Sequence, residues 1–308
     1  MKYYIPQSVL ALALTTLLSA CGGGGGGNGT ANGTLSVQIT DASVDGVSGV
    51  HVQFDGITVK PRDGSQLQFP FSAKTIDLKA LDGDNTETLI NNQTLPAGEY
   101  NWIRLDVNAD CDGEWDSFVD QVGGGQIELR VPSARGLQLG NGFVITDNQN
   151  TSFVIDWNLR MGLTDPVGSD CYKLKPSLRI VDMTQHGTIA GTIDSSLIGG
   201  DVNTLAGNVV YIYEGAGVVP DDIDGIDPDP VTTADVKFNA ETGNYEYMAA
   251  FLSPMDYTVA FTADGQNDVI PDPDMPEIAA DEVITFTPGQ TTTVVDGQTS
   301  TVSFPAGS

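Results

Sequence analysis

Carboxylates crowd two short segments of the sequence, and hard cations such as calcium bind where several oxygen ligands converge. The first segment lies between Pro220 and Pro230 and has Gly225 available for a tight turn. Its five aspartates are Asp221, Asp222, Asp224, Asp227 and Asp229. Calcium is therefore the candidate ion for this loop. The alternative is a set of solvated turn aspartates, because Asp and Gly are ordinary turn residues.

The second acidic segment matches the first half of an EF-hand calcium loop. Asn108, Asp110 and Asp112 stand at alternate positions and precede Gly113. A complete EF-hand loop has a glutamate at its twelfth position, where this segment has Val119. Asn108, Asp110 and Asp112 are therefore a second candidate ligand set, with the same alternative of solvated turn residues.

Residue types for nucleophilic or zinc-dependent catalysis are scarce. The two histidines are His51, in a strand-like run, and His186, near the middle of the chain. The sequence has no Gly-x-Ser-x-Gly elbow and no His-Glu-x-x-His motif. We therefore predict a non-enzymatic protein. The catalytic alternative is a polysaccharide hydrolase, which needs only two placed carboxylates, and the chain has 41 acidic residues.

The first twenty residues have the layout of a secretory signal. Lys2 supplies a positive start, Val9 to Leu18 is an apolar run broken only by two threonines, and Ser19 and Ala20 are small. A bilayer span needs about 20 apolar residues, so the run is too short for a transmembrane helix. Residues 1–20 are predicted to be a removable signal peptide.

Leu18-Ser19-Ala20-Cys21 resembles the lipobox of bacterial lipoproteins. The resemblance implies cleavage before Cys21, acylation of that residue and a membrane anchor; an ordinary signal with a chance cysteine is the alternative. Gly22, where enteric lipoproteins retained in the inner membrane have aspartate, implies the outer membrane. Residues 21–33, rich in glycine, are predicted to form a flexible tether.

Cys111 and Cys171 are the remaining cysteines once Cys21 carries lipid. Exported proteins meet oxidising conditions, so these two residues are predicted to form a disulfide. Two buried free thiols are the alternative.

The charge of the chain is strongly negative. With 13 Lys and Arg against 41 Asp and Glu, the formal net charge is −28. Such a charge argues against binding to nucleic acid or to an anionic membrane face, and it keeps a surface protein soluble.

Apolar residues alternate with polar ones along most of the sequence, which predicts strands. Leu35, Val37 and Ile39 set this period, and a phase change at Asp55-Gly56 predicts a β-bulge. One short helical turn is expected within residues 85–92. A new series of strands starts after residues 184–187. The chain is therefore predicted to be all-β, with two tandem β-sandwich domains at 34–184 and 187–308.

Three stretches of the first domain stand out, and they are Gly33–Ala42, Leu95–Leu105 and Tyr172–Ile180. In this order they resemble a bacterial family of unknown function, numbered four-three-eight-two. The family occurs typically in lipoproteins, which agrees with Cys21, and it implies no activity.

The second domain contains Gly187–Asp194, Gly207–Tyr213, and Gly243–Tyr245 leading to Leu252–Val259. These stretches are similar to the carboxypeptidase-regulatory or transthyretin-like sandwich. The loop Leu95–Tyr100 of the first domain has the form expected in that second family. We therefore hypothesise that both domains are related sandwiches, which requires the same strand order in each.

These features together predict a surface lipoprotein, lipid-anchored to a bacterial membrane, with a binding or structural role in adhesion, envelope organisation or glycan contact. No cofactor is expected apart from the candidate calcium. The expected partners are the membrane, through the anchor, and an extracellular glycan or surface protein.

Overall fold

The computed structural model describes residues 31–42, 44–132, 136–140, 142–165, 170–201, 203–268 and 284–308. The predicted signal peptide, Cys21 and the tether up to residue 30 lie outside these residues. The tether prediction extended to residue 33, but the first strand begins at Asn32.

Thirteen strands form the N-terminal half of the described chain (residues 31–184). They are β1 (Asn32–Ala42), β2 (Val47–Pro61), β3 (Leu67–Asp77), β4 (Glu87–Pro96), β5 (Gly98–Asn108), β6 (Phe118–Gln121), β7 (Gln126–Arg130), β8 (Leu137–Leu139), β9 (Phe143–Ile145), β10 (Asn150–Asn158), β11 (Leu163–Thr164), β12 (Cys171–Leu174) and β13 (Leu178–Asp182). Their sheets have four strands, in the order β13-β10-β1-β4, and nine strands, in the order β11-β12-β7-β6-β2-β5-β8 with β3 on β2 and β9 on β5.

Eight strands form the described part of the C-terminal half (residues 187–201, 203–268 and 284–308). They are β14 (Gly187–Ile193), β15 (Val209–Glu214), β16 (Thr232–Asp235), β17 (Lys237–Asn239), β18 (Asn244–Leu252), β19 (Asp256–Thr262), β20 (Gln290–Thr293) and β21 (Thr299–Thr301). Two four-stranded sheets result, in the orders β17-β18-β14-β21 and β16-β15-β19-β20.

Seven strands of each half have the same order, although β13 and β17 extend the corresponding sheets at opposite edges. In the N-terminal half, β1 lies between antiparallel β4 and parallel β10, as β14 lies between antiparallel β18 and parallel β21. The facing sheets contain the antiparallel series β3-β2-β5-β9 and β16-β15-β19-β20. The requirement set by the tandem-sandwich hypothesis is therefore met over seven strands of each half.

A tyrosine corner repeats at the same place in both halves. The Tyr100 hydroxyl donates to the carbonyl oxygen of Pro96 at 2.9 Å, and the Tyr257 hydroxyl donates to that of Ser253 at 3.0 Å. Each tyrosine lies just after the turn between equivalent strands, β4–β5 and β18–β19. The recurring loop noted in the sequence thus has one structural role, which is to fix the crossing between sheets.

Each half has its own apolar core. The alternating residues Leu35, Val37 and Ile39 are fully buried in the first core, and Ile189, Val259 and Phe304 lie in the second. This confirms the all-β prediction, and the predicted bulge appears as a register shift between Phe54 and Gly56.

Within the described residues, the helical segments are short. The helical turn expected within residues 85–92 was wrong, because Glu87–Pro96 pairs with β1 as strand β4. The short helices lie elsewhere: two 3-10 turns, Leu78–Leu81 and Gly265–Asn267, and one α-helical turn, α1 (Leu159–Gly162). Among the described residues, no helix is long and apolar enough to cross a membrane.

The predicted disulfide between Cys111 and Cys171 is confirmed. It joins the loop after β5 to the start of β12, with the Cα atoms 6.3 Å apart. This link ties the extension of the larger sheet, β6, β7 and β12, to its central strands.

Candidate functional site

The two halves meet along a seam that includes a small apolar cluster. Val154 and Val181 of the N-terminal half are buried against Ala250 and Phe251 of the C-terminal half. Residues 31–308 accordingly form one compact unit. The strands at this seam bring polar side chains of the two halves together.

Arg160, in α1, is the central polar residue of the seam. Its guanidinium lies 2.9 Å from Asp45 and 3.2 Å from Asp235, and it donates to the Gly265 carbonyl at 3.0 Å. Only 3% of the residue is exposed. Burial lowers the pKa of Arg160, whereas the carboxylates of Asp235 and Asp45 raise it. The effect of the carboxylates is larger, so the pKa of Arg160 lies above its ordinary value. The charge is therefore retained in the seam.

Two further cations cross between the halves. Arg179 binds the buried Asp156 carboxylate and donates to the Phe251 carbonyl, each at 2.7 Å. Lys237 lies 2.5 Å from Asp82. Because breaking a buried pair leaves an uncompensated charge, the Arg160–Asp235 contact favours a fixed arrangement of the halves, whereas the Lys237 side chain is 65% exposed and its pair adds less.

Asp41 is a buried carboxyl group with one unsatisfied oxygen. Its Oδ1 accepts from the Leu159 N–H at 3.1 Å, whereas Oδ2 has no hydrogen-bond partner within the described part of the chain. Burial, followed by the nearby Asp156, raises the pKa of Asp41 well above its ordinary value. A cavity of about 10 Å³ adjoins Asp41, Asp156 and Thr233, which is close to the space that one water needs.

An open groove of about 580 Å³ lies where the two halves meet. The segment Asp82–Asn85 of the N-terminal half lines one side, and strands β14, β17 and β18 of the C-terminal half line the other. Cross-strand neighbours Thr192, Glu246 and Lys237 lie along these strands. The groove is thus built by residues from both halves and depends on the seam for its shape.

The groove combines exposed apolar side chains with planar polar groups. Phe238 is 53% exposed and Met248 is 41% exposed. Polar groups come from Asp84, Asn85 and Asn239. Such a mixture of apolar surface and a few convergent polar groups is typical of ligand sites.

The charges in the groove are mostly negative. Its ionisable side chains are those of Asp82, Asp84, Asp235, Glu246 and Lys237. Burial raises the pKa of Asp82, although Lys237 acts in the opposite direction. Hydrogen bonds from Asn239 and Thr242 lower the pKa of Glu246. An anionic ligand would meet repulsion here.

The five aspartates of the first predicted calcium loop lie in one segment and make turn hydrogen bonds. Asp229 Oδ1 accepts from the N–H groups of Asp224 and Gly225, both at 3.3 Å, and Asp224 Oδ1 accepts from the Ile226 N–H at 2.7 Å. Among the described residues, no three His, Cys, Asp or Glu side chains are grouped so that they could hold a metal ion. Calcium at Asp221, Asp222, Asp224, Asp227 and Asp229 stays a prediction, and this arrangement adds no support to it.

The second predicted calcium set is spread along a strand end and a turn. Asn108, in β5, donates to the Gln53 side chain at 2.8 Å, and Asp112 accepts from the Glu114 N–H at 3.0 Å. Asp110 lies between them in the loop beside the disulfide. Calcium at Asn108, Asp110 and Asp112 likewise stays a prediction. Its test is calcium titration of the wild-type chain and of D110N.

The two histidines contact an aspartate and aromatic rings. His51 Nε2 lies 2.8 Å from Asp120 and its ring stacks on Phe118 with centroids 4.4 Å apart. The His186 ring lies 5.7 Å from that of Phe251 at the seam. Each histidine ring is thus packed against an aromatic ring.

Sequence reasoning missed the seam and the groove. A partial signal was present: Asp156 lies between Ile155 and Trp157, and Arg160 lies between Leu159 and Met161, and charged residues are rarely buried without partners. Their partners lie more than 70 residues away in every case but one, so the sequence alone could not pair them.

Residues 32–176 match the family described as Domain of unknown function (DUF4382). This confirms the resemblance given for the N-terminal half. No curated protein matches the sequence.

Three of the similar solved structures are bacterial. The TIE protein of Bacillus anthracis is 13% identical with a TM-score of 0.19, and the match covers 88% of this chain and 34% of that protein. The minor pilin GBS52 of Streptococcus agalactiae is 12% identical with a TM-score of 0.19, and the match covers 88% of this chain and 94% of that one. A fimbrial protein of Bacteroides ovatus is 12% identical with a TM-score of 0.21, and the match covers 89% of this chain and 49% of that one. The chain spans about a third of the length of the TIE protein. With TM-scores this low, no argument about fold or function rests on these likenesses.

Proposed function

We propose that this protein is a non-catalytic binding lipoprotein of the bacterial surface and that the groove at the seam is its binding site. The observation that carries the proposal is the groove itself, where Phe238 and Met248 stay exposed beside the polar side chains of both halves. Exposed apolar groups gathered in one concave site are typical of a binding surface.

The ion pairs at the seam support binding rather than large motion. Asp82 and Asp235, which line the groove, are bound to Lys237 and Arg160 of the same seam. A groove held in this way is formed before the ligand arrives, which lowers the entropic cost of binding.

Hydrolysis by paired carboxylates is the second candidate function, and one observation favours it. The groove contains a carboxyl group with a raised pKa, Asp82, and one with a lowered pKa, Glu246. A glycosidase needs such a difference between its acid and its base. However, the Asp82 carboxylate forms an ion pair with Lys237. Both oxygens of Glu246 accept hydrogen bonds, one from Asn239 and the other from Thr242.

Binding is tested with the mature chain without its acylated Cys21, that is from Gly22 onward, labelled with a fluorophore and mixed with isolated bacterial surface material. T192W places a bulky ring in the groove, and V122W is the matched control on an exposed turn residue. We expect T192W to abolish co-sedimentation and V122W to leave it intact. Equal binding by both variants would exclude the groove as the site. Release of soluble sugar from the same material, lost in D82N, would establish hydrolysis instead.

The anchor is proposed at Cys21, on the support of Leu18-Ser19-Ala20-Cys21 and the glycine-rich residues that follow. Acyl chains on one residue hold a chain stably when more than one is present. We expect radiolabelled palmitate to enter the wild-type protein and not C21S, with the label in the outer-membrane fraction. Label in C21S would contradict the proposed anchor.

A further inference from the structure

The groove continues past an aromatic pair into a second depression. The rings of Phe238 and Tyr245 lie 5.2 Å apart. Phe238 lines the groove of about 580 Å³, whereas Tyr245 lines a neighbouring depression of about 280 Å³, and Thr192 lines both. The ligand surface is therefore a trough with two compartments, a shape that suits a chain-like ligand better than a single small molecule.

The side chains around the aromatic pair match the surface of a sugar ring. A pyranose has faces of C–H groups and edges of hydroxyl groups. The ring of Phe238 and the thioether of Met248 present apolar surface that suits the C–H faces of the sugar. The side chains of Asn85 and Glu246 are planar and carry hydrogen-bonding atoms in that plane, which suits the adjacent hydroxyl groups at the sugar's edge.

Charge and backbone pairing disfavour two other classes of occupant. Four carboxylates against Lys237 make the groove unfavourable for acidic polysaccharides and for nucleic acid. An extended peptide binds by adding to an unpaired strand edge. Among the strands that line the trough, β14 and β18 are each paired on both sides, and the edge strands β17 and β21 have only three residues each, so they offer a peptide few backbone partners.

We propose that the trough binds an internal segment of a neutral oligosaccharide, with Phe238 and Tyr245 under the sugar rings where the two compartments meet. This inference rests on the proposed function, because it names the ligand class of the same groove.

The experiment is calorimetric titration of the mature chain with neutral hexasaccharides of glucose, mannose and xylose, and with a hexamer of galacturonic acid. F238A removes the ring from the trough. W115A is the matched control, because Trp115 and Phe238 are both 53% exposed and Trp115 lies outside the trough. Thermal melts of both variants report whether each is folded.

We expect at least one neutral hexasaccharide to bind, F238A to weaken its binding by about tenfold or more, and W115A to leave it unchanged. Binding of the acidic hexamer alone, or equal affinity in folded F238A and wild type, would overturn the inference. If T192W blocks binding to surface material while no neutral hexasaccharide binds, the groove remains the binding site and the ligand class is wrong. If T192W blocks nothing, the proposed function itself has failed.

Discussion

Arg160 and Asp235 join the two halves of the molecule through a hydrogen bond of 3.2 Å in a seam where the arginine is 3% exposed. Asp45 shares the same guanidinium. The groove lies beside this contact, so the stability of the seam and the shape of the groove depend on the same residues.

Replacing Arg160 with alanine should destabilise the protein by about 3 kcal/mol, because it leaves two partly buried carboxylates unpaired. The control is R62A, which removes an exposed partner of Glu99 and should cost less than about 1 kcal/mol. Urea unfolding of the mature chain measures both. Equal losses in the two variants would mean that the seam does not depend on Arg160.

Stability should fall as the pH rises above the ordinary range of a carboxyl group. Burial and the neighbouring Asp156 raise the pKa of Asp41 in the folded state, so folding favours the protonated form. The contribution of Asp41 to the free energy of unfolding is complete at low pH and is lost as the pH rises through the raised pKa of the folded state. Asp82, Asp235, Arg160 and Arg179 also face this region.

D41N should flatten this pH dependence, because asparagine resembles the protonated acid and stays neutral. D63N, on an exposed turn, is the control. Denaturation midpoints measured across the pH range give the comparison. The interpretation of Asp41 is wrong if D41N and wild type lose stability with pH in parallel.

Removal of the disulfide should destabilise the chain by about 4 kcal/mol, since Cys111 and Cys171 are 60 residues apart. The double variant C111S/C171S, melted beside the oxidised wild type, gives this difference. A reductant should lower the melting temperature of the wild type and leave the double variant unaffected. A wild type insensitive to reductant would show that the link carries little stability.

The two tyrosine corners should contribute comparable stabilisation. Y100F and Y257F each remove one hydroxyl that donates to a carbonyl four residues earlier, at a cost of about 1 kcal/mol. Y245F, which lies outside the corners, should cost less. A loss in only one of the corner variants would argue that the repeated loop does not play the same role in both halves.

The sequence predicted the strand architecture well because period-two alternation survives in half-buried strands. Leu35, Val37 and Ile39 show it, and the phase change at Gly56 located a real bulge. Local pattern failed at Glu87–Pro96, where polar residues of a strand were taken for a helical turn. Pairing with β1, at long distance in the sequence, overrides the local preference there.

The candidate site was predicted much less well than the fold. Acidic residues drew attention to residues 221–229, where turn hydrogen bonds account for several carboxylates. Phe238 gave no signal of its own, because one aromatic residue in a short strand is usually part of a core. Its exposure follows from the position of β17 at a sheet edge beside the N-terminal half, and that position exists only in the folded chain.

The shared strand order has a consequence for the rate of folding. Each half is closed by a parallel pair, β1 with β10 and β14 with β21. These pairs align residues 116 apart, Thr34 with Asn150, and residues 111 apart, Thr188 with Thr299. Such high contact order slows folding, because the entropy of closing a long loop is lost before the contacts form. Slow closure in both halves suits an exported chain, which the signal peptide predicted at residues 1–20 would make it.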